Sequence, residues 1–320
     1  MPILTAAVLA AVIAGSVAFL QQQSSLIADD AATSQEEASA STTGSQASEE
    51  AVNLLQRSRD LLFLERKSVR ATLHETVSMG DRKFRASGTY VAGTFPKLRL
   101  EFDVEVGKTK GKLREICDGT LLWSEQTLET AGGKEPTVQV SRTVIDDVLQ
   151  AVAQSGNDPR AKLIAGLGMG GVPALLAALE QAMIFDAMTT DEIEGHSFFV
   201  IQGRWNDDYL ARFGGSGGRP LPDYVPDHVR LYIDQETLFP ARILYLKQVT
   251  GNDAEPGARK YRALLALEFS DIVLDGPVSE EDFRYRPPGE IETRDRTKEL
   301  LDLIEKATQA VESEPSGVAP

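Results

Sequence analysis

Residues 227 to 246 read DHVRLYIDQETLFPARILYL. Val229, Leu231 and Ile233 alternate with Arg230, Tyr232 and Asp234. Gln235-Glu236-Thr237 then breaks the pattern, and Pro240 leads into Ile243, Leu244, Tyr245 and Leu246. Period-two alternation on both sides of a short polar break predicts a β-hairpin.

Downstream, Tyr261 to Phe269 predicts a third strand, followed by a run from Asp271 to Gly276 and a close at Asp282 to Gly289 that contains Phe283 and Pro287-Pro288. Upstream, Val69, Ala71, Leu73, Val77 and Met79 alternate with Arg70, Thr72, Thr76 and Ser78 up to a turn at Gly80-Asp81. Phe84 to Val91 returns, and Gly93-Thr94-Phe95-Pro96 turns the chain again. The cleanest alternation sets Leu98, Leu100, Phe102, Val104 and Val106 against Arg99, Glu101, Asp103 and Glu105. Further strands follow through Leu113, Ile116 and Cys117, at Leu121 to Ser124 with Trp123, and at His196 to Trp205 with Phe198 to Ile201. Such patterns mark antiparallel strands with one dry and one wet face.

Helical spacing of apolar residues occurs at Glu49 to Phe63, at Thr143 to Ala153 with Thr143 as N-cap, at Arg160 to Ala165, and at Val172 to Met188. The last of these holds Leu175, Leu176, Leu179, Met183, Ile184 and Phe185 and is apolar over most of its circumference, so it must be buried. A charged helix with Leu300, Leu301, Ile304 and Ala307 as its stripe spans Thr297 to Val311, ahead of a loose tail at 312 to 320.

Taken in order, the hairpin with Asp234, Thr237 and Pro240, the third strand, Asp271, and the terminal Phe283 with Pro287-Pro288 resemble the C-terminal half of the LolA-like family of periplasmic lipoprotein carriers and their relatives. The succession of a Gly-flanked strand, Pro96, Leu98-Arg99-Leu100, Asp118-Gly119 and Leu122-Trp123 resembles the N-terminal half. The resemblance implies an α+β fold. A single curved antiparallel β-sheet, an unclosed half-barrel, would have helices covering its concave face and hold an acyl chain beneath them. On that reading the candidates for cavity and lid are Leu98, Leu100, Phe102, Trp123, Leu176, Leu179, Met183, Phe199, Ile201, Leu231 and Ile233. Gly166, Gly168, Gly170 and Gly171 would be the hinge of the lid. One departure stands out: where the carriers commonly place an arginine before the proline that opens the third strand, helping to hold the cover shut, this chain has Phe95.

Composition limits the partners. The net charge of -15 over 320 residues argues against nucleic acid, which needs clustered Lys and Arg to displace counterions. Cys117 is the only cysteine, so neither an intramolecular disulfide nor a Cys-based zinc site is available, and a small buried apolar role is expected for it. Residues 3 to 20 form an apolar stretch suited to a signal segment or an N-terminal membrane anchor, cleaved or retained. Residues 21 to 48 are mostly Ser, Ala, Gln, Thr and acid with Leu26 and Ile27 as their only large apolar residues, unable to build a core, and read as a disordered linker. The expected domain therefore runs from 49 to 296. The expected location is the periplasm or cell envelope, with residues 3 to 20 as a tether to the inner membrane if retained.

Three strings invite chemistry. Gly166-Leu-Gly168-Met-Gly170-Gly171 fits the dinucleotide-loop pattern, but it lacks a βαβ context and has Pro173 opening the following helix. Gly214-Gly-Ser216-Gly-Gly218 fits a nucleophile elbow without the strand and helix an elbow needs. His74, His196 and His228 are scattered, with no second ligand at metal spacing. The expectation is a monomeric, non-enzymatic protein without cofactor or metal that binds and carries a lipid or acylated protein. An inner-membrane donor or outer-membrane acceptor would be its partner. The alternative is an envelope protein-interaction or stress-sensing module using the same curved sheet.

Overall fold

Alternation along the strands is the physical origin of the architecture, because it leaves each strand with one face that must be covered. In the computed structural model, residues 48–79, 82–106, 109–129, 136–156, 165, 170–186, 188–212, 221–249, 260–289 and 291–312 are described. The strands are β1 (Val69–Met79), β2 (Arg82–Ala92), β3 (Leu98–Val106), β4 (Thr109–Cys117), β5 (Leu121–Glu129), β6 (Thr137–Val144), β7 (Met183–Phe185), β8 (Thr189–Ile193), β9 (His196–Trp205), β10 (His228–Asp234), β11 (Pro240–Val249), β12 (Lys260–Leu274) and β13 (Thr293–Asp295). They join in one open, curved sheet in the order β13-β6-β5-β4-β3-β2-β1-β12-β11-β10-β9-β7, with β8 pairing β9. All the pairings are antiparallel except that of β13 with β6. The α+β class and the unclosed sheet agree with the sequence reading.

Among the described residues five α-helices accompany the sheet: α1 (Glu49–Asp60), α2 (Ile145–Gln154), α3 (Val172–Ala182), α4 (Asp207–Arg212) and α5 (Thr297–Glu312). The Ser48 side chain caps α1 by accepting from the Ala51 N–H, while Glu49 and Glu50 in its first turn and Arg57 and Arg59 in its last oppose the helix dipole. Ala51, Leu54, Leu55 and Ser58 face inward at helical spacing, and the Ser58 hydroxyl donates to the Leu238 carbonyl at 2.7 Å. From α3, Leu175, Leu176 and Leu179 join Ala51, Leu54 and Leu55 in one apolar cluster with the inner residues of the sheet. Further along the sheet α2 and α5 bury Ile145, Val148, Leu300 and Ile304 in that same cluster.

The outer face carries a strap. After β12 the chain is fixed to the start of β1, where the Asp275 N–H donates to Ser68 O at 2.9 Å and its carboxylate accepts from Lys67 N and Arg66 Nη1, each at 2.8 Å. Phe283 is then buried beside Gly93, and the Tyr285 hydroxyl donates to Glu125 Oε2 at 2.7 Å. The chain finally adds β13 to the edge of β6 and enters α5.

Several boundaries differ from expectation. Thr143 does not cap a helix; it lies in β6, a strand the sequence reading missed, and α2 starts at Ile145 after Val144 without a side-chain cap. The strand wins because Thr143 pairs with Leu122 across β5. The apolar run from Val172 also divides: the helix stops at Ala182, and Met183–Phe185 become β7 because their backbones pair with Trp205 to Gly203 of β9. Asp207 and Asp208 open α4, a short helix for which no expectation was stated. Two short strands, β8 and β13, have too few residues for alternation to register. The expected helix at Arg160 to Ala165, the Gly214-to-Gly218 string, and residues 1 to 47 lie outside the described residues, apart from Ala165.

Candidate functional site

The registers state which side chains stand together on the inner face. Leu100 of β3 lies opposite Tyr90 of β2 and Glu115 of β4, while Phe102 lies opposite Gly88 and Leu113. On the other wing Leu231 of β10 lies between Ile201 of β9 and Ile243 of β11, and Ile233 lies opposite Phe199. Leu98, Leu100, Phe102, Ile201, Leu231 and Ile233 are buried, and Phe199 is half-buried against the same cluster. Leu176 and Leu179 reach it from α3, and Met183 reaches it from β7 and not, as expected, from the covering helix. The fold thus gathers these residues into one apolar trough with its cover in place.

Trp123 is a correction. Leu122 takes the inner position opposite Cys117, so Trp123, opposite Ile116, falls on the outer face, where its ring lies 5.4 Å from that of Tyr285. Parity within β5 decides this: an aromatic residue adjacent in sequence to an inner leucine must point the other way. Cys117 is buried, and burial pushes its thiol up to about 11, as befits a small apolar filler.

At the start of the cover, Gly170 and Gly171 have φ of 75° and 91°, a region that L side chains seldom enter. The first N–H of α3, that of Val172, donates to the Tyr90 hydroxyl at 3.3 Å and ties the helix to the inner face of β2. Gly166 and Gly168 lie outside the described residues. α3 is also clasped to α1: Glu180 accepts from Gln56 Nε2 at 2.7 Å and pairs with Arg59. Phe95, which stands where the carriers place arginine, instead meets Phe63 beyond the end of α1, with ring centroids 4.6 Å apart.

Two carboxyls were missed by sequence reading. Glu75 of β1 sits on the inner face between Ala86 and Leu267, 3 % exposed, and its Oε1 has no hydrogen-bond partner among the described residues. Burial pushes it up to about 7. Burial, and then the charge of Glu75, raise the Tyr245 hydroxyl above its usual range. Glu115 of β4 is equally hidden, and its Oε2 has no partner among the described residues. Burial carries it up to about 8, against the opposing influence of Arg296 and a hydrogen bond with Ser124. Parity could have found both: Glu75 shares the odd positions of Leu73 and Val77, and Glu115 those of Leu113 and Cys117.

No family model matches the sequence, and no curated protein matches it either. Solved structures do align with it. MucB aligns at 12% identity and a TM-score of 0.35, covering 75% of this chain and 64% of that one, so the chain spans less than two thirds of MucB. The lipoprotein LppX of Mycobacterium tuberculosis aligns at 14% identity and a TM-score of 0.34, covering 72% of this chain and 99% of that one. A LolA superfamily protein from Nitrosomonas europaea aligns at 10% identity and a TM-score of 0.22, covering 73% and 97%. The chain aligns with LolA superfamily proteins. The likeness is distant, and the trough itself is what bears on function.

Proposed function

We propose that this protein binds the acyl chain of a lipid or lipidated polypeptide in the cell envelope, without covalent chemistry, between the inner face of its sheet and the α1–α3 cover. The observation that carries the reading is the way α3 occupies the trough. Leu175, Leu176 and Leu179 are 3 %, 0 % and 4 % exposed, and the helix is entered through two glycines of positive φ. Burying each leucine contributes about 1.5–3 kcal/mol, and hiding a long acyl chain contributes on the order of 10 kcal/mol at about 0.8 kcal/mol per methylene. An incoming chain can therefore take over the contacts that α3 makes, so that opening the cover need not leave the trough exposed. Release reverses the exchange, as carriage requires.

The test is uptake by delipidated protein. Saturable binding of a fluorescent fatty acid or lipopeptide is expected, and native mass spectrometry of protein purified without detergent should find a bound acyl compound. Background uptake together with a lipid-free native mass overturns the reading.

A second reading, binding of a protein partner, is supported by one feature of the outer face. Tyr232, Leu244 and Leu246 form a separate buried cluster flanked by half-buried Phe198, Val200 and Tyr261. Stoichiometric co-purification with a membrane protein, abolished by Val200→Glu while acyl uptake persists, favours that reading.

A further inference from the structure

The inner face is not apolar throughout. One row crosses the strands from Ser141 on β6 to Ser124 on β5, Glu115 on β4, Leu100 on β3 and Tyr90 on β2, each directly opposite the next. Directly opposed residues of antiparallel strands share a face, with Cβ atoms about 5 Å apart. Two hydroxyls and a carboxyl therefore stand side by side at one end of the row. Towards the other end Leu100 is buried beneath the cover, and the Tyr90 hydroxyl there is already engaged by the Val172 N–H.

We propose that Glu115, Ser124 and Ser141 hold the uncharged, hydroxyl-bearing head group of an amphiphile whose acyl chain lies in the apolar part of the trough. This inference rests on the acyl-binding reading above and names the class of ligand.

The built element is Glu115, buried to 3 % exposure with Oε2 lacking a hydrogen-bond partner among the described residues. A carboxyl oxygen removed from water without a partner is destabilising, and a ligand hydroxyl placed there satisfies it. The two serines are only half-buried, so the row is reached from solvent on their side. Burial keeps the Glu115 proton to about pH 8, which makes the group both donor and acceptor, the complement of an alcohol. Arg296, the nearby cation, is taken up by Glu299 at 3.3 Å, and so offers no unopposed charge to an anionic head. α2 and α5 roof this end with Ile145, Val148, Leu300 and Ile304, which offer the head group no competing polar partner.

Displacement of a fluorescent acyl probe from the full chain tests the assignment, with 1-monopalmitoylglycerol, methyl palmitate and palmitate as competitors. The glycerol ester should compete about tenfold better than the methyl ester, the worth of one or two added hydrogen bonds. Glu115→Leu should remove that advantage while leaving methyl palmitate unchanged or stronger. Glu115→Gln, which keeps a donor and an acceptor, should retain most of it. If Glu115→Leu does not fold, Ser124→Ala and Ser141→Ala should each lower glycerol-ester competition several-fold and spare the methyl ester. Equal effects on both esters, no effect on either, or a preference for palmitate overturns the inference while leaving acyl binding intact. Probe binding that none of the three displaces, or no probe binding at all, overturns the acyl-binding reading and this inference with it.

Discussion

Phe283 fills the space that a side chain at position 93 would need: a Cβ built on Gly93 would lie 2.9 Å from the Phe283 ring. The strap across the outer face is therefore seated by a glycine in the β2–β3 turn, some 190 residues away in sequence. Gly93→Ala should destabilise the fold by about 1–3 kcal/mol through overpacking, and Phe283→Ala by about 3–5 kcal/mol through the cavity it leaves. Urea denaturation checks both. The double variant should be less damaging than the sum, because the added methyl then enters space that the ring has vacated.

Glu75 and Glu115 make stability depend on pH. Both have folded-state values above their ordinary 4.5, near 7 and 8, so the folded protein keeps protons that the unfolded chain has released. The stability these two groups contribute is full below about pH 4.5, falls as pH rises through the folded values, and levels off beyond them. The Glu75 share of that fall is about 3 kcal/mol. Denaturation midpoints at pH 4.5, 6 and 8 should decline less in Glu75→Gln than in the native protein. Parallel profiles for the two proteins would contradict the assignment.

Glu180 holds the cover through Gln56 and Arg59. Its side chain is 21 % exposed and that of Arg59 27 %, so the ion pair is worth only about 0.2–1 kcal/mol. Glu180→Ala should barely move the unfolding midpoint yet speed amide exchange across α3 and quicken acyl-probe entry. Unchanged exchange in α3 would show that the clasp plays no part in closing the cover.

The hairpin turn depends on Asp234. Its Oδ1 accepts from Glu236 N at 3.1 Å, Thr237 N at 2.7 Å and Thr237 Oγ1 at 2.7 Å. Asp234→Ala leaves these donors unanswered and should cost about 1–3 kcal/mol by thermal denaturation, whereas Asp234→Asn, which keeps an acceptor, should cost less than half as much.

Local chemistry alone determined most of the long strands, the β10–β11 hairpin and the amphipathic α1 and α5, while the α+β class was read from the family resemblance that those segments carry. Alternation and turn residues act over a few positions, and in these elements nothing distant overrode them, whereas the expected cap at Thr143 gave way to its pairing with Leu122. Only the tertiary structure decided what lies on which side of the sheet and what meets across it. Trp123 was read as lining on the family resemblance, but the Leu122–Cys117 register turns it outward. Met183 was read as helical until its pairing with Trp205 made it strand. Glu75 and Glu115 look like ordinary charged residues in the string, and become buried acids only when neighbouring strands and helices exclude water from the face they share. Parity could place Glu75 and Glu115 on the inner face, but register and burial are properties of pairs distant in sequence, and only they decide that the face is dry at those two positions.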